Sequence, residues 1–149
     1  MMEGKRLLIH PHAAIVEDYH RDLEIEWGMT KMGSTAKGVG AAMIERIRRV
    51  PKDPNVAKQR LSQPGHFDLG KYVATRAEYM RALDESETLL IEGAQGFSLS
   101  MYHGQYPYTT SRDVTPWQLA ADVGLPFKHA SSVKIWGTLR TFPIRVNNR

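Results

Sequence analysis

Residues 88–96 of the chain read TLLIEGAQG. The first four form a compact apolar run, which stops at a polar segment with two glycines, residues 92–96. A buried strand that delivers a loop to a binding site has this pattern in α/β proteins. We therefore predict a strand at 88–91 and a candidate site in the loop that follows it.

Two further segments have the composition of strands. Residues 7–9 are a short apolar run, and residues 133–146 are rich in β-branched and aromatic side chains, with breaks at Gly137 and Pro143. The chain stops three residues after the last of these segments, at Arg149. We therefore expect the sheet to continue in residues outside this sequence.

Helical spacing of apolar residues links the predicted strands. It predicts helices near 15–23, 39–50 and 69–83, and a polar linker at 51–63. Thr115, Pro116 and Gly124 suit the two ends of a short helix over 117–123. The predicted buried faces are Ile15, Tyr19 and Leu23; Val39, Met43, Ile47 and Val50; and Val73, Ala77, Met80 and Leu83.

Helices and strands alternate, which predicts an α/β fold with a mostly parallel sheet covered by helices. The 149 residues suit a single domain, 1–149. Hydrophobic residues make up 42% and charged residues 24%, so we expect packed structure through most of the chain. No apolar run is long enough for a membrane span, so we expect a soluble protein in a cytoplasmic setting.

A net charge of +4 favours anionic partners such as phosphates, nucleotides or nucleic acid. The absence of cysteine excludes disulfides, thiolate metal sites and cysteine nucleophiles. Residues 96–100 lack the second glycine of a serine-hydrolase elbow. His10, His12 and His20 match no zinc spacing, so we predict no metal site in this chain.

The glycine-rich segment 33–40, GSTAKGVG, has the features of a phosphate site. Backbone N–H groups and a helix N-terminus stabilise an anion, and Ser34, Thr35 and Lys37 add two hydroxyls and a cation. Val39 and Gly40 stand where a P-loop requires Lys and then Ser or Thr, so this is not a Walker A motif. An ordinary glycine-rich turn is the alternative interpretation.

A basic cluster follows that loop: Arg46, Arg48, Arg49 and Lys52. Guanidinium groups bind phosphate oxygens in bidentate fashion, although such a run is commonly a solvated helix face. Nucleic-acid binding is the less favoured hypothesis, because no aromatic residues lie nearby for base stacking.

Two further segments carry side chains suited to a purine nucleotide. The amide of Gln95 can donate to and accept from a purine edge, and residues 109–113, TTSRD, add three hydroxyls. The alternative is structural: threonines and serines that cap a turn, with Arg112 and Asp113 paired at the surface.

Taken together, these motifs resemble the adenylosuccinate synthases. IEGAQG at 91–96, YHGQYPY at 102–108 and the Thr-Ser pair at 110–111 follow that family's glutamine loop and its Tyr-Pro and Thr-Ser elements. GSTAKGVG is similar to the family's Gly-Thr-Thr-Gly-Arg-Gly-Ile-Gly loop, and the likeness spans nearly the whole chain. The resemblance implies the central part of a P-loop-like adenylosuccinate synthase fold, present here incompletely.

In that family GTP, with Mg²⁺, phosphorylates the 6-oxygen of inosine monophosphate (IMP), and L-aspartate then displaces the phosphate. The resemblance implies that Thr35 and Thr110 hold the 5′-phosphate and that Gln95 lies against the base. It implies that Arg49 reaches the phosphate of the neighbouring subunit in a homodimer, and that the backbone near Val146 approaches the ribose.

The family's catalytic aspartate and histidine, and its loops for GTP, magnesium and aspartate, have no counterpart in this sequence. We therefore expect no catalytic residue in this chain. Ala36, Lys37 and Ala41 replace the usual glycine, arginine and proline, as in short archaeal and phage-type relatives, some of which use dGMP.

Three hypotheses follow. The first is a segment of a purine ligase that retains a mononucleotide half-site for IMP or dGMP. The second is an inert binding fragment whose basic helix meets a polyanion or a partner chain, with binding that falls steeply with salt. The third is a fragment that folds only with the missing parts and therefore exposes apolar surface.

Overall fold

The computed structural model describes residues 6–49, 56–63, 67–139 and 141–142, where the regular structure is almost entirely helical. The α-helices of this part are α1 (Asp18–Glu26), α2 (Val39–Arg48), α3 (Val56–Leu61), α4 (Arg76–Asp84) and α5 (Pro116–Val123). Short 3₁₀ turns lie at Met29–Met32, Gly70–Tyr72, Phe97–Leu99 and Phe127–Ser132. None of the helices in the described ranges is long and apolar enough to cross a bilayer.

Capping residues set the ends of the helices. The hydroxyl of Thr115 accepts a hydrogen bond from the backbone N–H of Gln118 at 3.3 Å, and Gly124 ends α5 at φ 74°. The prediction for this helix is therefore confirmed. Helix α4 begins later than predicted, because Thr75 and Glu78 form a reciprocal capping box and residues 70–72 turn separately.

The predicted linker at 51–63 is wrong in its second half. Residues 56–61 form α3, in which Ala57 is fully buried. Helix α3 packs on the Gly70–Tyr72 turn, and Leu69 donates its backbone N–H to the carbonyl of Leu61 at 3.1 Å. These contacts stabilise α3, although its sequence lacks the periodic spacing of apolar residues that would predict a helix.

The sheet remains a prediction. Among the described residues the β-pairing is one parallel bridge between Ile9 and Val73, in which Ile9 donates to the carbonyl of Tyr72 and accepts from Ala74. Residues 88–91 and 133–139 form no strand, so those two predictions are not borne out in this part of the chain. A strand needs a neighbour for its ladder hydrogen bonds, and no described segment supplies one.

Helix α1 packs on α2, but through faces other than those predicted. The buried residues of α1 are His20 and Glu24, whereas Tyr19 is 44% exposed. The buried residues of α2 are Gly40, Ala41 and Ala42, and Val39 and Ile47 are exposed. Small residues allow the two helices to approach closely, so a polar and alanine-lined contact replaces the predicted apolar stripes.

Large apolar side chains are widely exposed in the described residues. Leu90 is 87% exposed, Phe127 93%, Trp136 86% and Leu139 98%. The buried hydrophobic residues are mostly alanines. The described residues therefore do not have the packed apolar core that the composition predicted. The third hypothesis predicts exposed apolar side chains of this kind.

Candidate functional site

The glycine-rich segment leads directly into α2, as predicted. Gly38 is the N-cap at φ 84°, and a Cβ there would lie 2.9 Å from Cγ1 of Val16 and 3.0 Å from Cβ of His20. Glycine is therefore required both by the left-handed backbone and by the close packing of the loop on α1. The loop that carries the predicted phosphate ligands is fixed at this end.

The three predicted phosphate ligands lie just before that helix. Ser34 Oγ accepts a hydrogen bond from the backbone N–H of Ala36 at 3.1 Å, in a tight turn where Ala36 has φ 45°. Thr35 and Lys37 are exposed. Two of the three side chains are thus accessible to a ligand, while Ser34 also serves the turn.

The first turn of α2 already holds an anion, which the sequence did not reveal. The buried carboxylate of Glu24, on α1, accepts hydrogen bonds from the backbone N–H groups of Gly38 at 2.8 Å, Gly40 at 2.7 Å and Ala41 at 3.2 Å. The sequence interpretation assumed that these amides are free to bind a phosphate, but they already donate to Glu24. Nothing in the spacing distinguishes Glu24 from its exposed neighbour Glu26.

The Thr-Ser segment is braced against residues 99–101. Thr110 donates its backbone N–H to the carbonyl of Leu99 at 2.7 Å, and Met101 donates to Arg112 at 3.1 Å. The fully buried Ser100 donates its hydroxyl to Asp113 at 2.7 Å, which lowers the pKa of that carboxyl. This pairing presents the segment 109–112 as a fixed loop.

Arg112 and Asp113 do not pair with each other, contrary to the structural alternative. Arg112 forms an ion pair with Asp122 on α5, and Asp113 accepts from Ser100 and from the hydroxyl of Thr115 at 2.8 Å. Both side chains therefore have partners other than each other.

The glycine-rich loop and the Thr-Ser segment meet at Gly40. A Cβ at Gly40 would lie 2.5 Å from Oγ of Ser111 and 3.0 Å from Oε1 of Glu24. Residue 111 therefore packs directly on the first turn of α2, beside the loop with Thr35. Two of the three sequence-distant stretches predicted to form one site are in contact.

The glutamine loop joins the same assembly through Leu99. Gly93 packs on α5, where a Cβ would lie 2.2 Å from Cδ1 of Leu119, and the carbonyl of Gly96 accepts from Leu99 at 2.9 Å. Leu99 in turn accepts from Thr110. Gln95 is exposed with φ 67°, a left-handed conformation that costs a non-glycine residue on the order of 1–2 kcal/mol. Its contact with a base stays a prediction.

Arg49 lies away from these three loops. It is the C-cap of α2 at φ 55°, and the 10-residue helix separates it from the glycine-rich loop by about 15 Å. There it lines a cavity of ≈ 280 Å³ together with His12, Arg46 and Arg60. Arg49 does not join the three loops within one chain, and its predicted role in a neighbouring subunit stays a prediction.

A hydrogen-bonded network centred on Glu45 lies beside that cavity, which Glu45 and Arg60 line. Glu45 accepts from Arg60 at 2.8 Å and from the hydroxyl of Tyr19 at 2.7 Å, and its Oε2 lies 2.6 Å from Nε2 of His20. The backbone N–H of Glu17 donates to Nδ1 of His20, so the ring proton lies on Nε2 and is donated to Glu45. These bonds, that of Arg60 foremost, lower the pKa of Glu45 to about 2.

Two further predictions concern a metal ion and Val146. In the described part of the chain, no three His, Asp or Glu side chains are grouped so that they could hold a metal ion. Val146 lies outside the described residues, so its predicted approach to the ribose stays a prediction.

Comparison with known proteins identifies the family. The family model described as adenylosuccinate synthetase matches residues 59–148. The chain belongs to the adenylosuccinate synthetase family. This confirms the resemblance stated from the sequence.

Relatives within the adenylosuccinate synthetase family fall into two named groups. A protein of Salmonella phage PMBT28 named N6-succino-2-amino-2′-deoxyadenylate synthase is 44% identical over 159 residues, which cover 100% of this chain and 42% of the relative. The adenylosuccinate synthetase of Pyrococcus sp. (strain ST700) is 38% identical over 144 residues, covering 95% of this chain and 40% of that protein. The chain thus spans less than half the length of these relatives.

A solved structure from the family resembles this chain throughout. It is the succinoaminodeoxyadenylate synthetase of cyanophage S-2L, bound to dGMP and to dATP as an energy donor. The two share 40% identity with a TM-score of 0.83, and the match covers 97% of this chain and 40% of that one. The helices and loops described above are therefore arranged as in a nucleotide-binding synthetase.

Proposed function

We propose that this chain supplies the purine-mononucleotide site of a synthetase that joins L-aspartate to a purine nucleotide. The observation that carries the proposal is the contact between Ser111 and Gly40, which brings the Thr-Ser segment onto the glycine-rich loop. Thr35, Lys37 and Thr110 then offer hydroxyls and a cation to one 5′-phosphate. Gln95, on the loop joined to them through Leu99, offers an amide to the base.

The proposed nucleotide is dGMP, with IMP as the alternative. Relatives named for the 2-amino-2′-deoxy product are 40% and 44% identical to this chain, whereas archaeal adenylosuccinate synthetases are 36% to 38% identical. The similar cyanophage structure holds dGMP. IMP, which the sequence interpretation placed first, is therefore the second choice.

The remaining parts of the reaction belong to the proposed whole enzyme. A nucleoside triphosphate, GTP by the family resemblance or dATP as in the cyanophage relative, would activate the 6-oxygen with Mg²⁺, and L-aspartate would displace the phosphate. The residues of this chain would bind and orient the purine and would not transfer protons. A homodimer in which Arg49 reaches the partner's phosphate, and a cytoplasmic setting, complete the proposal.

Isothermal titration calorimetry tests the proposal directly. Wild-type chain is titrated with dGMP, IMP and deoxyguanosine, and then Thr35→Ala, Thr110→Ala and Gln95→Ala are titrated with dGMP. Loss of a hydroxyl that binds a charged phosphate removes roughly 1.5–3 kcal/mol, so each threonine variant should bind dGMP about tenfold or more weakly.

Thr30→Ala is the matched control, because Thr30 is an exposed threonine in the neighbouring 3₁₀ turn. It should leave the affinity unchanged. An absence of heat with both dGMP and IMP, or an equal loss for Thr30→Ala, would contradict the proposed site. Tighter binding of IMP than of dGMP would reject only the choice of nucleotide.

A further inference from the structure

Glu24 is a buried carboxylate that would not itself bind a phosphate, because both groups are negatively charged. It is 3% exposed, yet it lies on α1 rather than on the loop or on α2. Its two oxygens accept hydrogen bonds from three backbone N–H groups at the start of α2, those of Gly38, Gly40 and Ala41. A carboxylate held in this way satisfies the N–H groups that a helix N-terminus leaves unpaired and complements its positive end.

The position of Glu24 determines where a phosphate can bind. Because the carboxylate already occupies the first turn of α2, a nucleotide phosphate cannot use these three amides without displacing it. The side chains proposed above as phosphate ligands, Thr35, Lys37 and Thr110, need none of these three amides. Ser111 packs against Gly40 next to the same carboxylate oxygen, so the second loop rests on the element that Glu24 fixes.

We infer that Glu24 is a positioning residue of the nucleotide site, which acts by anchoring the first turn of α2 between the two phosphate-facing loops. The inference rests on the proposed function. It runs against simple electrostatics, since a negative charge near a phosphate lowers affinity through repulsion. Removal of that charge should therefore tighten phosphate binding if Glu24 is only a nearby charge, and weaken binding if it positions the loops.

Glu24→Gln separates the two cases, because it keeps the shape and removes the charge. Its amide can accept only through one oxygen and places an N–H₂ group against a backbone N–H donor. Affinity for dGMP, measured by calorimetry, should fall about tenfold, while affinity for deoxyguanosine, which has no phosphate, should change less than twofold. Glu24→Asp keeps the charge and should recover part of the loss. Glu26→Gln, an exposed glutamate on the same helix, is the control and should bind as wild type does.

Amide hydrogen exchange supplies a second readout that does not need nucleotide. Gly38, Gly40 and Ala41 should exchange at least tenfold faster in Glu24→Gln than in wild type, with the amides of α5 unchanged. Equal or tighter dGMP binding by Glu24→Gln, or unchanged exchange at these three amides, would overturn the inference. If wild type binds no nucleotide but the exchange result holds, the proposed function fails and the anchoring role stands as a purely structural one.

Discussion

Replacement of Glu45 by glutamine tests the network that joins α1, α2 and α3. Glu45 receives hydrogen bonds from Arg60 at 2.8 Å and from Tyr19 at 2.7 Å, and its carboxylate lies 2.6 Å from the buried His20 ring. Arg60 also forms an ion pair with Glu17 at 3.0 Å. Glu45→Gln keeps the shape of the side chain but removes the charge that these donors share.

The pKa of Glu45 gives the size of its contribution to the free energy of unfolding. A decrease from 4.5 to about 2, due first to the hydrogen bond from Arg60, corresponds to roughly 3 kcal/mol at about 1.4 kcal/mol per unit. The side chain keeps 18% exposure, and screening by solvent reduces the expected contribution to about 1–2 kcal/mol. Because the folded pKa lies below the unfolded one, this stability is present above pH 4.5 and is lost as pH falls towards 2.

Urea unfolding of wild type and Glu45→Gln at pH 7, 4.5 and 2.5 measures the difference. The variant should be less stable by about 1–2 kcal/mol at pH 7, and the gap should shrink below pH 4.5 as Glu45 of the unfolded wild type takes up a proton. Glu87→Gln, at an exposed position in the loop after α4, should show no gap at any pH. A gap that stays constant from pH 7 to pH 2.5 would refute the assigned pKa.

Three further changes have defined outcomes. Partial burial and the hydrogen bond to Glu45 raise the pKa of Tyr19 to about 12, so Tyr19→Phe should remove the tyrosinate absorbance change near pH 12. Stability that depends on the neutral phenol is present below pH 10 and lost as pH rises through 12. Gly93→Ala places a methyl group 2.2 Å from Cδ1 of Leu119 and should cost about 1–3 kcal/mol in thermal unfolding, whereas no loss would show that the Leu119 side chain turns away at little cost. Thr115→Ala removes the N-cap of α5 and should cost about 1 kcal/mol, while Thr115→Ser should restore most of it.

Local signals in the sequence predicted local structure well. Helix α5 was predicted with correct ends because Thr115, Pro116 and Gly124 act within one turn of the positions they specify. Thr75 and Glu78 carry the same kind of signal for α4, and a capping-box interpretation would have placed its start correctly. The motifs were sufficient to identify the family, because IEGAQG and the Thr-Ser pair can be recognised in the sequence without knowledge of long-range contacts.

Features set by distant contacts were not predictable. Strands at 88–91 and 133–139 depend on neighbours for their hydrogen bonds, and apolar composition alone cannot supply them. The face by which α1 packs on α2 is polar, because Glu24 there bonds to the backbone and not to another side chain. Helical periodicity of apolar residues therefore selected the exposed Tyr19 instead.

One part of the site prediction agrees with the structure and another part does not. Contact between the glycine-rich loop and the Thr-Ser segment was expected, and Ser111 lies against Gly40. The assumption that backbone amides of α2 remain available for phosphate was wrong, because Glu24 occupies them. The roles of the predicted ligands stay predictions until a nucleotide is bound.

The most direct test of the shared nucleotide site is a titration of ¹⁵N-labelled chain with dGMP, followed by amide chemical shifts. We predict that the largest changes cluster in residues 33–41, 93–96 and 109–112, on the three loops that the structure joins through Gly40 and Leu99. Changes confined to the cavity beside Arg46 and Arg49, or an absence of saturable changes in the three loops, would contradict the account.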